Sequence, residues 1–238
     1  MKYQVQKKYA LVTGGNKGIG FAICQGLLAA GFDVILTARS LDKGKAAAAQ
    51  LTSTESQIRV VEMDVTDDNS IDRAVEDLSQ ELTHLDVLIN NAGVLPDEDI
   101  SILTVSRELL QIGMNTNVFG VIRVTQAFLP LLEKASEARV INISSERGQL
   151  SYLAIDTPSY SLSKLALNGT TIMLASALQS KGIAVYAMWP GWVRTDMGGT
   201  EAPGSPEQGA DTVIWLATEA SPSLSGKYFY ERQEISYH

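Results

Sequence analysis

Tyr160 and Lys164 stand four residues apart in "SYSLSK", so a helix through this stretch presents both on one face. A free tyrosine titrates near pH 10, far from neutrality. A lysine ammonium beside the phenol favours the phenolate and draws its titration toward the working range, where the oxygen can give or take a proton. "NISS" at 142–145 ends an apolar run, and Ser145, 15 residues before Tyr160, supplies a hydroxyl able to orient a carbonyl oxygen. Viewed alone, Ser145 reads equally as a strand-ending or helix-capping serine, and its neighbour Ser144 competes for the role. Taken together, the three groups suit protonation of an oxygen while its carbon is reduced.

A second dense stretch, "TGGNKGIG" at 13–20, lies between the apolar run "YALV" and the helix-like "FAICQGLLAAG". Gly14 permits a tight turn, Gly18 lets a diphosphate approach the backbone, and Gly20 lets the following helix lie close to a sheet. Amides at the start of that helix then face an anion. A plain glycine turn has no need of the polar Asn16 and Lys17 at its crest. An NAD-specific site would end the second strand in Asp or Glu, but that end reads "LTARS". Asp33 sits at the other end of its strand, whereas Arg39 and Lys17 supply cations for a 2′-phosphate and favour NADP. Asp64, after the third run, is placed to accept from the adenine amine or, with no ligand, to start a helix. With NADPH in this groove, reducing a ketone needs a hydride for carbon and a proton for oxygen, and Tyr160 can supply the proton.

These residues must be held by a scaffold. Short β-branched runs at 9–13, 33–38, 58–63, 86–91, 139–144 and 183–188 alternate with longer helical patterns, and "KYFYE" at 227–231 suggests a seventh strand. Their near-continuous apolar character suits a parallel sheet covered on both faces. The expected fold is therefore α/β: a Rossmann-type, doubly wound parallel sheet of about seven strands, a three-layer sandwich with helices on both faces. Its ligands collect along the carboxyl ends of the strands.

Composition narrows the partners. No linker or repeat divides the 238 residues, so 1–238 reads as a single domain. Hydrophobic residues make up 45%, enough for a sizeable core, and a formal net charge of −8 disfavours nucleic acid and anionic membranes. The N-terminal "MKYQVQKK" has no apolar core, and no stretch reaches the roughly 18 apolar residues of a spanning helix, which points to the cytoplasm. The lone Cys24 sits in an apolar-periodic stretch and reads as packing. His84 and His238 are the only histidines, so no metal-ligand spacing is present.

Thr13-Gly14-x3-Gly18-x-Gly20, "NNAG" at 90–93, "NISS" and Tyr160-x3-Lys164, in this order, resemble the short-chain dehydrogenase/reductase family. The resemblance implies a catalytic set of Asn117, Ser145, Tyr160 and Lys164, with the Asn117 backbone helping to hold a water that links Lys164 to solvent. It assigns Asn91 and Gly93 to the ribose side of the cofactor, and Pro190, Gly191, Val193 and Thr195 to the nicotinamide carboxamide. Ile19, Val65 and Ala92, neighbours of these residues, complete the expected NADPH/NADP+ site. "ALVTGGNKGIG", "LTAR" and "PGWVRTDM" followed by "SPEQGADT" are similar to the NADPH-dependent carbonyl reductases of that family.

Those monomeric relatives carry an insertion between serine and tyrosine that is absent here. The helices beginning near 105 and 159 are thereby free to pair between subunits, as in a homo-oligomer. The expected substrate is a modest, neutral carbonyl compound bounded by 146–158 and by a mobile, glycine-rich lid at 197–209, with Tyr152, Leu153, Trp192 and Met197 as apolar walls. Two other readings stay open: another alcohol dehydrogenase or 3-oxoacyl-thioester reductase of the family, and a non-catalytic NADPH sensor.

Overall fold

The computed structural model describes residues 7–51 and 56–238; the first six residues of the N-terminal stretch discussed above lie outside them. The chain forms β1 (Lys8–Val12), α1 (Gly18–Ala29), β2 (Phe32–Ala38), α2 (Leu41–Ala48), β3 (Ile58–Glu62), α3 (Asp68–Ser79) and β4 (Val87–Asn90). It continues with α4 (Arg107–Met114), α5 (Gly120–Leu132), β5 (Arg139–Ile143), α6 (Pro158–Leu178), β6 (Ala184–Met188), α7 (Pro206–Thr218), β7 (Tyr228–Tyr230) and β8 (Gln233–Ile235).

Among the described residues, one sheet carries all eight strands in the order β3-β2-β1-β4-β5-β6-β7-β8. β1 to β7 pair in parallel and β8 pairs antiparallel to β7, so the expected seven-stranded parallel sheet gains a reversed edge strand. β8 escapes a reading by apolar runs because its QEI sequence is mostly exposed and only a tight turn separates it from β7. Glu231 and Arg232 in that turn both have positive φ, the left-handed backbone that reverses the chain.

The continuous apolar strands arise because both faces of the sheet are covered. In β1, Ala10 and Val12 join a core with Ile23 and Leu27 of α1 and Val213 and Leu216 of α7. Leu11 between them faces the opposite core, with Ile71 and Leu78 of α3 and Phe128 of α5. Burying each such large side chain stabilises the fold by about 1.5–3 kcal/mol. Cys24 is part of the first core, and burial pushes its thiol up to about 12, as suits a packing residue. Among the described residues, no helix is long and apolar enough to cross a membrane.

Two features of this topology position a ligand site. The chain runs outward from β1 through β2 to β3, then returns to place β4 on the other side of β1. The order therefore reverses between β1 and β4, which opens a crevice beyond their carboxyl ends. The glycine loop leaves β1 into that crevice and "NAG" at 91–93 leaves β4 into it. Between α4 and α5 the helix widens into a π turn over Asn115–Phe119, a local expansion often found beside functional sites.

Candidate active site

A cavity of about 510 Å³ opens at the crevice. Its walls include Gly14, Asn16, Lys17, Gly18, Ile19 and Gly20 from the glycine loop and Arg39 after β2. Asp64 and Val65 after β3 and Asn91, Ala92 and Gly93 after β4 add to them. Tyr160 and Lys164 of α6 line the same cavity, as do Pro190 and Thr195. Gly191 and Val193 do not. Gly191 lies against the Tyr230 ring, and Val193 is buried in a bridge to Gly204, so their expected contact with the cofactor corresponds to no side-chain wall here.

The glycine spacing has visible causes. Gly18 has φ +54, and a Cβ there would stand 3.1 Å from Thr195 Cγ2, so the loop and the segment after β6 meet closely over the groove. A Cβ on Gly20 would lie 2.4 Å from the Gly14 carbonyl oxygen and 2.5 Å from Asn91 Nδ2. Asn91 uses that amide to donate to the carbonyls of Thr13 (2.8 Å) and Gly14 (3.1 Å), tying the loop after β4 to the loop after β1. The cradle therefore has the shape and the backbone approach that a dinucleotide diphosphate requires.

The charges near the adenosine end differ in their engagement. Lys17 pairs with Asp196 at 2.6 Å across the mouth, and both are exposed. Among the described residues no ion pair engages Arg39, which is exposed at the end of β2. Asp33 is buried at the far end of that strand, where its carboxylate binds Lys7 and the Gln57 amide. Asp64 accepts from the backbone and hydroxyl of Thr66 (2.9 and 2.7 Å), a local turn that holds its carboxylate at the cavity wall.

At the catalytic end, Pro158 opens α6. The buried carboxylate of Asp97 accepts from the amides of Ser159 and Tyr160, satisfying donors that a helix start leaves open. The sequence reading missed Asp97; its only local signal is an Asp in "LPDED", 62 positions before Ser159. Lys164 Nζ donates to the Ile143 carbonyl at 2.7 Å, and burial depresses its pKa to about 8. Its ammonium stands 5.6 Å from the centre of the Tyr160 ring.

Burial raises the Tyr160 pKa, while the Ser145 hydroxyl and the Arg147 charge pull it down. The expectation of a phenol drawn down by Lys164 is therefore corrected. Loss of hydration dominates, and the ammonium makes its hydrogen bond to a backbone carbonyl.

The two serines separate by their partners. Both are buried; Ser144 lines the cavity and donates to Asn168 Oδ1 at 2.6 Å, whereas Ser145, not among the cavity walls, accepts from the Arg147 amide at 3.2 Å through its Oγ and acts on Tyr160. Asn117 lies in the π turn. Its side chain clasps both backbone groups of Val94 at 2.9 Å and donates to Ser163 Oγ at 2.8 Å. A Cβ on Gly93 would be 3.2 Å from Asn117 Oδ1 and 3.7 Å from Lys164 Nζ, so Gly93, Asn117 and Lys164 converge.

The stretch expected to be a lid is only partly a loop. Residues from Pro206 belong to α7, started by a capping box between Ser205 and Gln208. The remainder is tied down: Arg194 donates to the carbonyls of Ala202 (3.0 Å) and Pro203 (2.7 Å), and Trp192 Nε1 donates to Gly198 (2.8 Å). Of the four expected apolar walls, Tyr152, Leu153, Trp192 and Met197, only Met197 lines the cavity, and all four are exposed.

A mostly parallel sheet with its glycine loop at the switch point, and a tyrosine and lysine sharing the cavity, defines the class as a Rossmann-type oxidoreductase fold. The profile described as short chain dehydrogenase matches residues 8–205, and the chain belongs to that family. It is 36% identical to the short-chain dehydrogenase anuI of Penicillium roqueforti over 94% of each chain. It is also 36% identical to carbonyl reductase (NADPH) 1 of Homo sapiens, covering 87% of this chain and 90% of that one. Among solved structures, the NADPH-bound carbonyl reductase from chicken fatty liver superposes with a TM-score of 0.85 at 32% identity, covering 94% of this chain and 96% of the other.

Proposed function

We propose that this protein is an NADPH-dependent carbonyl reductase that reduces ketones and aldehydes to alcohols, with Tyr160 as general acid. The observation that carries this reading is that Tyr160 and Lys164 line the same cavity as the glycine loop, so the proton donor and the dinucleotide cradle share one mouth. Gly18 and Gly20 keep that cradle open to a diphosphate, and Arg39, at the end of β2, is the cation offered to a 2′-phosphate. Lys17 and Asn16 would flank the phosphates, with Asp64 and Val65 on the adenine side and Asn91, Ala92 and Gly93 on the ribose side. Of the segment expected at the carboxamide, Pro190 and Thr195 line the cavity and would face it.

When bound, NADPH supplies the hydride. The rest is done by the chain. Ser145 donates to the substrate oxygen and fixes it near Tyr160. Burial keeps the Tyr160 proton on its oxygen until the substrate oxygen gathers charge, and transfer then leaves a phenolate that the Lys164 ammonium stabilises. From the π turn, Asn117 donates to Ser163 of α6, the residue just before Lys164. A panel of ketones, aldehydes, quinones and acyl thioesters, followed by NADPH absorbance, tests the assignment. Turnover of simple carbonyls with NADPH is expected, and inactivity across the panel despite tight NADPH binding would overturn it in favour of a sensor.

A further inference from the structure

The segment after Ser145 is built of two single 3₁₀ turns, Glu146–Gly148 and Leu150–Tyr152, a geometry whose hydrogen bonds hold poorly on their own. It is gripped from two sides. On one side is α6: Asn168 Nδ2 donates to the Gly148 carbonyl at 3.0 Å while Asn168 Oδ1 accepts from Ser144. The fit is close, because a Cβ on Gly148 would stand 2.8 Å from the Lys164 backbone.

On the other side is the stretch that follows β8. The buried Gln149 donates its Nε2 to the Ser236 carbonyl at 2.6 Å, and the Leu150 amide donates to the Tyr237 carbonyl at 3.4 Å. Tyr237 is anchored in turn. Its ring stacks on buried Tyr228 of β7 with centroids 5.3 Å apart and planes 13° from parallel, and its hydroxyl donates to the Gly226 carbonyl at 3.0 Å. Tyr237 and Ser236 also border an open cavity of about 730 Å³.

We propose that residues 236–237 form a strap that holds the turns 146–152 against α6, with Gln149 and Tyr237 as positioning residues for substrate orientation at Ser145. This rests on the carbonyl reductase reading for its kinetic consequence, though not for its structural one. A misplacement of the order of 1 Å in a catalytic constellation costs on the order of a hundred-fold in rate, so a loosened turn should show in turnover while leaving the distant adenosine site untouched.

The test compares Gln149→Ala, Tyr237→Ala and Tyr237→Phe by amide hydrogen exchange and by kinetics. Both alanine variants should exchange faster over 145–152 and lose roughly ten-fold or more in kcat/KM, with the NADPH Kd within about two-fold of the parent. Tyr237→Phe, which keeps the stack but loses the hydroxyl bond to Gly226, should fall between the parent and Tyr237→Ala. Unchanged exchange over 145–152 in both alanine variants overturns the strap, as does faster exchange with unchanged kcat/KM. A parallel loss of NADPH affinity also overturns it, since that marks general loosening. If the parent protein turns over no carbonyl compound, the reductase reading fails by itself, and the exchange comparison still decides the strap.

Discussion

Lys164 Nζ donates to the carbonyl oxygen of Ile143, the last residue of β5, so one hydrogen bond joins the helix of Tyr160 to the strand that delivers Ser145. The contact is buried, and burial is also what depresses the lysine to about 8 from an ordinary 10.5. Carbonyl reduction should therefore fall as pH rises through about 8, because the ammonium that stabilises the Tyr160 phenolate is lost; a pH profile of kcat checks it. The same depression means that the unfolded chain holds more protons than the folded one between about 8 and 10.5. The contribution of Lys164 to stability should then rise with pH across that window, as denaturant titrations at several pH values would show.

Removing the Tyr160 hydroxyl separates chemistry from binding. Tyr160→Phe should keep NADPH affinity while kcat falls by about 10²–10⁴, the usual contribution of a positioned acid. Near-normal ketone turnover by this variant would show that the proton comes from elsewhere.

Cofactor choice turns on the cations. With Lys17 engaged by Asp196, Arg39 is expected to carry the 2′-phosphate. Arg39→Ala should weaken NADPH by about ten-fold or more, the scale of a charge-assisted hydrogen bond, and leave NADH nearly unchanged. Equal losses in the two dissociation constants would place the 2′-phosphate elsewhere.

Asp97 offers a test of helix positioning. Asp97→Ala leaves the amides of Ser159 and Tyr160 without their carboxylate and should cost about 0.5–2 kcal/mol of stability by denaturant titration. Asp97→Asn, which keeps an acceptor, should recover much of it. A lower kcat in the alanine variant alone would tie the helix start to Tyr160 orientation.

The neutral core provides a control remote from the cavity. Phe128 is fully buried against α3 and the sheet, and Phe128→Ala should cost about 3–5 kcal/mol with little change in KM for the protein that remains folded.

The strand runs and their parallel pairing follow from local patterns: apolar continuity and crossover length act over a few residues each. The interval between Tyr160 and Lys164 likewise places them on one helix face wherever that helix lies. What tertiary structure decided are the contacts between distant positions. Asp97 caps a helix 62 residues away, Gln149 meets a carbonyl 87 residues away, and Lys17 meets Asp196 across 179. It also set the direction of the Tyr160 shift. Desolvation depends on what the whole sheet and its helices exclude from the cavity, and no spacing along a chain encodes that.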